Sequence, residues 1–307
     1  MGAGTSNDEY RTVRYLASPG WHLSIGEMGG SIRGDALGKN LEGGTQAMSA
    51  QGRLAGKAII VTGGTSGIGA SIARSIIREG GKVLVHGINR GEGEALVAEL
   101  GGSACLCIAD LAHESAPEVI VSSALAAFGK IDGLVNNAAI IERSNLKAIT
   151  AEGFDHTIAV NAKAPLFLIQ AAHPHLMKTK GSVLNIGSIN AYAGESTLLA
   201  YSMSKGALQT MTRNLANALG VTGVRINLIN PGWILTERED RDQVARGLEV
   251  GWHKKLDRNA IPLGEMSTPE NLAHAAIYWL SDESYPFTGS VVELEQFSII
   301  GRNPEKL

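Results

Sequence analysis

Short apolar runs alternate with longer amphipathic stretches from about Lys57 to the end of the chain. The runs are rich in valine, isoleucine and leucine, and three of the six end in glycine: KAIIVTGG, KVLVHG, SACLCIADL, IDGLVNNAA, GSVLNIGSI and VRINLINPG. Their apolar residues hardly alternate with polar ones, which is typical of strands buried on both faces of a parallel sheet. The pattern predicts an α/β fold with a doubly wound parallel sheet between two layers of helices, a Rossmann-type three-layer sandwich.

The stretches between these runs predict the helices. In SGIGASIARSIIREGG the apolar positions Ile68, Ile72, Ile76 and Ile77 recur at helical spacing, and glycines follow the last turn. The stretches GEGEALVAELGG and HESAPEVIVSSALAAFGK also predict helices. One long, uninterrupted helix is predicted from about residue 153 to 177, and another from about 200 to 219.

The first 54 residues differ from the rest, since they are rich in glycine and show no sustained period. They contain enough large side chains, among them Tyr10, Tyr15 and Trp21, to pack against a surface. Two interpretations stay open: a poorly ordered extension, or an arm that packs on its own domain or on a neighbouring subunit. We expect an N-terminal extension over residues 1–54 and a single domain over residues 55–307.

Composition and charge exclude several functions. The chain has 307 residues, of which 44 % are hydrophobic and 19 % charged, with a net charge of −3. No basic face is evident and the apolar runs are short, so we expect neither nucleic acid nor a membrane as a partner. Cys105 and Cys107 are the only cysteines, and no other Cys/His pair has metal-ligand spacing. The sequence therefore predicts no metal, no disulfide and a reducing, cytoplasmic location.

The segment TGGTSGIG, residues 62–69, lies between the first strand and the first helix. Glycines at such a turn let a pyrophosphate approach the backbone N–H groups and the helix N-terminus. The motif alone is weak, but its position at the start of a βαβ unit predicts dinucleotide binding. Gly87 occupies the strand end where an acid usually selects NAD, and Asn89 and Arg90 follow it. The sequence therefore favours NADP over NAD, unless Arg90 is simply a solvated residue at a helix start.

The pentapeptide YSMSK, residues 201–205, places a tyrosine one helical turn before a lysine. Further motifs occur in order along the chain: TGGTSGIG (62–69), Asp110–Leu111, NNAA (136–139), Asn161 in VNAKAP, Ser188 in NIGSIN, and NPG (230–232). With this set of motifs, residues 55–295 resemble the short-chain dehydrogenase/reductase family. The resemblance implies an NAD(P)-dependent oxidoreductase that transfers hydride between the cofactor and a secondary alcohol or ketone.

The resemblance also implies roles for individual residues. Tyr201 would exchange a proton with the substrate, and Lys205 would lower the pKa of that phenol, which is near 10 when free. Ser188 would bind the substrate oxygen, and Asn161 would hold a water linking Lys205 to solvent. Tyr201 and Lys205 would also touch the cofactor, as would the following residues: Gly63, Thr65, Ser66, Ile68, Gly69, Asn89, Arg90, Asp110, Leu111, Asn137, Ala138, Ala139, Pro231, Gly232, Ile234 and Thr236.

Two segments depart from the family pattern or vary with substrate. The family's aspartate–glycine–glycine is replaced by Glu295, Gln296 and Phe297, which begins an atypical tail over residues 295–307. The substrate lid is expected at about 232–262, and its six consecutive charged residues, 237–242, predict a solvated helix face.

The lid sequence PGWILTE resembles the lids of sugar and polyol dehydrogenases, and the lid lacks the broad apolar stripe that a steroid or long acyl chain would need. We therefore expect a sugar, polyol or sugar acid as the substrate. The substrate-binding candidates are Ser188, Asn190, Glu195, Tyr201 and Trp233.

Three further expectations follow from the resemblance. A 3-oxoacyl thioester reductase, partnered by acyl carrier protein, is the alternative function, although Lys254 and Lys255 are the only obvious basic residues near the pocket. A dinucleotide sensor without catalysis is a remote alternative, because such relatives usually lack the tyrosine or the lysine. Members commonly form dimers and tetramers, so we expect a homo-oligomer.

Overall fold

A computed structural model describes residues 52–192 and 194–297. Within them, one sheet contains seven strands, all parallel: β1 (Ala58–Val61), β2 (Lys82–Gly87), β3 (Ala104–Ile108), β4 (Gly133–Asn136), β5 (Ser182–Ile186), β6 (Arg225–Pro231) and β7 (Val291–Leu294). Their order across the sheet is β3-β2-β1-β4-β5-β6-β7. The first six coincide with the predicted apolar runs.

The helices of the described residues cover both faces of this sheet. They are α1 (Gly67–Arg78), α2 (Arg90–Leu100), α3 (Ala116–Phe128), α4 (Ala151–Ile158), α5 (Ala164–Thr179), α6 (Leu199–Leu219), α7 (Glu237–Ala245) and α8 (Pro269–Leu280). The predicted doubly wound α/β fold is thereby confirmed. The predicted single helix over 153–177 is wrong in one respect, because a π-helical turn, Ala159–Lys163, separates α4 from α5.

Alternate residues of each strand enter different cores, as a sheet covered on both faces requires. Ile59 and Val61 of β1 pack with α1, α2 and α8, whereas Ile60 packs with α3, α5 and α6. Leu54, assigned to the extension from sequence, is fully buried in the first of these cores. The rest of the extension through residue 51, and residues 298–307 of the tail, lie outside the described residues.

The chain reverses its direction across the sheet between β1 and β4. From β1 the chain runs outward through β2 and β3, and it then returns to place β4 on the other side of β1. In open α/β sheets, ligands bind outside the carboxyl ends of the strands at such a switch point. The glycine loop follows β1 and NNAA begins at the end of β4, so both motifs meet there.

Cys105 and Cys107 are free thiols on β3. Burial raises the pKa of Cys105 to about 11 and also raises the pKa of Cys107, so both thiols stay protonated at neutral pH. No group of three or more histidine, cysteine or acidic residues is placed to hold a metal among the residues that the structure describes. Across the same ranges, no helix is both long and apolar enough to cross a membrane.

Arg225, the first residue of β6, is a buried cation that holds the C-terminal end of α8. Its guanidinium donates to the carbonyl oxygens of Trp279 (3.3 Å) and Ser281 (3.0 Å) and to the hydroxyl of Ser284. Carbonyl groups at a helix end have no partner within the helix and carry the negative end of its dipole. Arg225 therefore stabilises α8 where it packs against the sheet.

Replacing Arg225 by methionine is expected to lower the free energy of unfolding by about 2–4 kcal/mol. Methionine fills much of the same volume but removes the guanidinium donor from the carbonyls of Trp279 and Ser281, which then keep only hydroxyl donors among the described residues, from Ser182 and Ser284. Urea denaturation at fixed protein concentration measures the change. The exposed Arg213 on α6 provides the control, since Arg213→Met should change the free energy by no more than about 0.5 kcal/mol. Equal effects of the two substitutions would contradict this account.

Candidate active site

The loop between β1 and α1 forms a cradle that only glycine can line. Gly63 and Gly67 have positive φ angles of 58° and 52°. A Cβ atom on Gly69 would lie 2.1 Å from the carbonyl oxygen of Gly63, and one on Gly63 would lie 2.8 Å from Cα of Ala138. The side chain of Ser66 precedes α1 without capping it, which leaves the first N–H groups of the helix available to an anion. The cradle therefore fits the pyrophosphate of a dinucleotide.

Side chains from the end of β4 brace this cradle. The Thr62 hydroxyl oxygen accepts hydrogen bonds from the N–H groups of Asn137 (3.0 Å) and Ala138 (3.1 Å). The Asn137 amide in turn donates to the carbonyl oxygens of Thr62 (2.9 Å) and Gly63 (3.0 Å). The side chain of Asn137, predicted to touch the cofactor, is thus bonded to the loop itself. These bonds hold the backbone of the cradle in its conformation.

His86, near the end of β2, is a residue that the sequence analysis missed. Its ring is 1 % exposed, Nε2 lies 2.9 Å from the carbonyl oxygen of Ala109, and the N–H of Gly63 points at Nδ1 from 3.4 Å. Because a carbonyl only accepts, Nε2 carries the hydrogen and Nδ1 accepts. Burial lowers the pKa of His86, which favours this neutral form. The signal that could have identified His86 in the sequence is its position as a lone histidine near the carboxyl end of an apolar strand.

The residues predicted to hold adenosine lie around the same strand ends. Asn89 caps α2, because its Oδ1 accepts the N–H of Glu92 at 3.2 Å. Arg90 points along α2 toward Glu94, 3.5 Å away, and its side chain is 70 % exposed. Asp110 accepts the N–H of Ala112, while Leu111 is buried.

The four predicted catalytic residues, Asn161, Ser188, Tyr201 and Lys205, are all buried; we call them the tetrad. Tyr201 and Lys205 lie in α6, Ser188 follows β5, and Asn161 lies in the π-helical turn. The Lys205 ammonium is 5.6 Å from the centroid of the Tyr201 ring and donates to the carbonyl oxygen of Ile186 at 2.7 Å. The fold therefore gathers the tetrad near the carboxyl edge of the sheet.

The side chain of Asn161 is held by protein groups. Its Oδ1 accepts the N–H of Ile140 at 2.9 Å, and its Nδ2 donates to the carbonyl oxygen of Ile140 (2.9 Å) and to the Ser204 hydroxyl (3.1 Å). The π-helical turn presents the side chain to these partners, a distortion that is frequent at functional sites. A water bridge from Asn161 to Lys205 stays a prediction.

Ser188 is positioned by a chain of buried amides. Its N–H donates to Oδ1 of Asn230 at 2.9 Å, and Nδ2 of Asn230 donates to Oε1 of Gln209 at 2.8 Å. A Cβ atom at Gly187 would lie 2.1 Å from that same Asn230 oxygen, so the position must stay small. The Ser188 hydroxyl oxygen also accepts the N–H of Asn190 at 3.1 Å. Its place beside Tyr201 is therefore fixed from several sides.

The predicted lowering of the Tyr201 pKa is wrong for this arrangement. Tyr201 is 8 % exposed, and burial raises the pKa of its phenol, while a hydrogen bond to Ser188 acts in the opposite direction. Burial also lowers the pKa of Lys205 to about 8. Desolvation disfavours both charged forms, so burial opposes the lowering that the sequence analysis assigned to the lysine.

The turn after β6, Pro231 to Thr236, is closed by Glu295 from the atypical tail. An Oε2 atom of Glu295 accepts the N–H of Trp233 at 3.1 Å, and a Cβ atom on Gly232 would lie 1.6 Å from that oxygen. Ile234 is buried, and Thr236 caps α7 with its hydroxyl oxygen. The tail residue that departs from the family pattern thus fixes a turn whose residues are predicted to touch the cofactor.

The segment predicted to be the lid, residues 232–262, contributes to a small hydrophobic cluster. Trp233 and Trp252 stack with ring centroids 5.1 Å apart, and Ile261 and Met266 pack in the same cluster. The prediction of a solvated charged face for 237–242 is correct only in part. Glu239 and Asp240 accept hydrogen bonds from the indole N–H groups of Trp233 (2.8 Å) and Trp252 (2.9 Å), respectively.

The residues predicted to bind substrate do not all lie together. Asn190 is half-buried next to Ser188. Glu195 instead pairs with Arg143 and Thr197 at the exposed rim, and Trp233 belongs to the hydrophobic cluster around Trp252. The sequence could not reveal Arg143, because its loop is brought to Glu195 only by the fold.

Comparisons with known proteins place this geometry among oxidoreductases. The family described as enoyl-(acyl carrier protein) reductase matches residues 63–295. The chain is 35 % identical to L-fucose dehydrogenase of Mus musculus, over 78 % of this chain and 87 % of that protein. It is 34 % identical to NADP-dependent (R)-specific alcohol dehydrogenase of Lentilactobacillus kefiri, over 78 % and 94 %.

A solved structure is also similar. It is the crystal structure of 3-ketoacyl-(acyl-carrier-protein) reductase from Brucella melitensis complexed with NADH. The TM-score is 0.70 at 28 % identity, with 78 % of this chain and 97 % of that chain covered.

Proposed function

Because this chain belongs to the short-chain dehydrogenase/reductase family and is an NAD(P)-dependent oxidoreductase of alcohols and ketones, we propose that its substrate is a sugar, a polyol or a sugar acid. The observation that carries the redox chemistry is the buried contact of Ser188 with Tyr201, beside Lys205 and next to the glycine cradle. The observation that favours a polar substrate is a set of polar side chains, which we call the polar rim: Asn190 beside Ser188, and the Arg143–Glu195 ion pair.

The chemistry follows from the positions of the tetrad. A bound nicotinamide cofactor supplies the two-electron acceptor or donor of a hydride. Ser188 donates a hydrogen bond to the substrate oxygen and fixes it near the Tyr201 hydroxyl. In oxidation, the substrate carbon gives up a hydride while Tyr201 takes the hydroxyl proton, and in reduction Tyr201 returns that proton. The Lys205 ammonium stabilises the phenolate that accepts this proton in oxidation and that forms again in reduction.

The polar rim supports a hydroxyl-rich substrate. Asn190 lies beside Ser188, and the loop that leads from Ser188 to α6 carries Glu195, whose ion pair with Arg143 provides further donors and acceptors. Both side chains of that pair are partly exposed, so a polyol can exchange hydrogen bonds with them at little desolvation cost. The similarity to an L-fucose dehydrogenase supports the same substrate class.

The alternative, reduction of 3-oxoacyl thioesters, is favoured by the similarity to the Brucella melitensis reductase. The basic residues expected to recognise an acidic carrier protein argue against it. Lys255 is paired with Glu249. Of the predicted pair of lysines, only Lys254 has no acidic partner among the described ion pairs.

An assay of nicotinamide absorbance separates these substrates. The panel contains L-fucose, other aldoses, polyols and sugar acids with NAD and with NADP, and 3-oxoacyl thioesters with the reduced cofactors. Turnover of a sugar, polyol or sugar acid supports the proposal. Turnover of thioesters alone would replace it with the carrier-protein alternative.

We also propose the arrangement of the whole enzyme. Residues 55–307 form one catalytic domain in which 232–262 act as the lid. The chain assembles as a homodimer or homotetramer, which the exposed Leu166 and Phe167 of α5 and Met203 of α6 support. A cytoplasmic location is in keeping with its two free cysteines.

A further inference from the structure

The end of β2 cannot hold the acid that usually selects NAD. Thr65, from the glycine loop, lies against Gly87 at this position. A Cβ atom on Gly87 would be 2.5 Å from the Thr65 methyl carbon and 3.0 Å from its hydroxyl oxygen. Any side chain at residue 87 would therefore collide with Thr65 unless the loop moved.

A carboxylate reaches the same place from the first turn of α2. Oε2 of Glu92 lies 3.5 Å from the Thr65 hydroxyl, at the outer limit of a hydrogen bond. The N–H of Glu92 is bonded to the Asn89 cap, which fixes the start of the helix. None of the ion pairs within residues 52–192 and 194–297 includes Glu92, whereas the neighbouring Arg90 is turned toward Glu94.

This position is where the two dinucleotides differ. The adenosine ribose of a Rossmann cofactor lies over the end of the second strand, with its 2′ position directed toward the residues that follow. NAD has a hydroxyl there, which can donate to a carboxylate in a charge-assisted hydrogen bond. NADP has a phosphate of nearly two negative charges, which an unpaired carboxylate repels.

We propose that Glu92 replaces the strand-borne acid, binds the ribose 2′-hydroxyl of NAD and disfavours NADP. The inference rests on the proposed nicotinamide chemistry and reverses the preference that Arg90 suggested in the sequence. It assigns the choice of cofactor to a helix residue and explains why Gly87 can lack a side chain.

Direct binding of NADH and NADPH, followed by the fluorescence of the reduced nicotinamide, tests the proposal without any substrate. The wild-type chain is expected to bind NADH at least about tenfold more tightly than NADPH, and Glu92→Gln should shrink that ratio by about tenfold. Glu118→Gln is the matched control, since Glu118 is also an exposed acid in the third position of its helix, α3. That variant should leave the ratio within about twofold.

The outcomes distinguish a failure of the Glu92 assignment from a failure of the proposed function. Tighter binding of NADPH by the wild type, lost in Arg90→Ala, would overturn the assignment and restore the reading based on Arg90. An unchanged ratio in Glu92→Gln would also overturn it. Binding of neither dinucleotide would instead remove the proposed function on which the assignment rests.

Discussion

Replacing Tyr201 by phenylalanine is expected to lower kcat by about two to four orders of magnitude. The phenyl ring keeps the packing of a side chain that is 8 % exposed, but no group remains at that position to exchange the substrate proton. The dissociation constant for the reduced cofactor should stay within about twofold, because the substitution removes one hydroxyl. Steady-state kinetics with the sugar or polyol found active, together with cofactor titration, measure both quantities.

The pH dependence of the rates provides a second test of the role of Tyr201 in proton transfer. Burial raises the pKa of Tyr201, so the phenol form dominates at neutral pH and can donate the proton needed in reduction. Oxidation needs the phenolate, and its rate is expected to rise as the pH increases. Tyr278→Phe, in a partly buried tyrosine far from the tetrad, serves as the control and should keep both rate and pH profile. Full activity in Tyr201→Phe would show that Tyr201 is not the residue that exchanges the substrate proton.

Replacing Lys205 by methionine is expected to lower kcat/KM by about two to three orders of magnitude and to make the protein more stable. The ammonium is 2 % exposed, and Ile186 provides its one hydrogen-bond acceptor among the described residues. Removing such a buried cation should raise the free energy of unfolding by about 1–3 kcal/mol at neutral pH. The gain in stability and the loss of activity both come from removing the Lys205 ammonium, because catalysis needs a charge at a buried position where a charge lowers stability.

The sign of the pH effect follows from the lowered pKa of Lys205, which is about 8 in the folded chain. The unfolded chain keeps the ordinary, higher value, so between these two pKa values it binds a proton that the folded chain has released. Wild-type stability should therefore rise with pH across this window relative to Lys205→Met. Urea denaturation at neutral and alkaline pH measures the difference, which should be largest below pH 8.

The control for the lysine is Lys163→Met, at a surface lysine paired with Glu114. It should change stability by no more than about 0.5 kcal/mol at either pH. A Lys205→Met variant less stable than the wild type would show that the bond to Ile186 outweighs the burial of the charge.

The sequence predicts the fold and the tetrad because both depend on local signals. Buried strands are apolar without alternation, and the motifs around Tyr201 and Ser188 have fixed spacing along the chain. The π-helical turn at Asn161 was missed because the apolar period continues through it. The Asn161 side chain in this turn bonds to Ile140, about twenty residues away in sequence.

Other features were missed because they depend on burial or on contacts between distant segments. The pKa of Tyr201 was predicted in the wrong direction, since desolvation depends on how much of the chain covers the phenol. The contacts of Glu295 with Gly232 and Trp233 join segments about sixty residues apart. Likewise, the carboxylate at Thr65 comes from α2, whereas the sequence analysis considered only the end of β2.

The two stacked tryptophans of the lid have a consequence for how tightly a small molecule can be held. A loop without internal packing loses about 1–2 kcal/mol of backbone entropy for each residue that becomes ordered when it closes over a ligand. Trp233 and Trp252, tied to Glu239 and Asp240, have already removed much of that freedom. If residues 232–262 close over a substrate as proposed, fewer of them remain to be ordered. A sugar has few atoms with which to offset ordering, so a pre-packed lid leaves more of its contact energy as affinity.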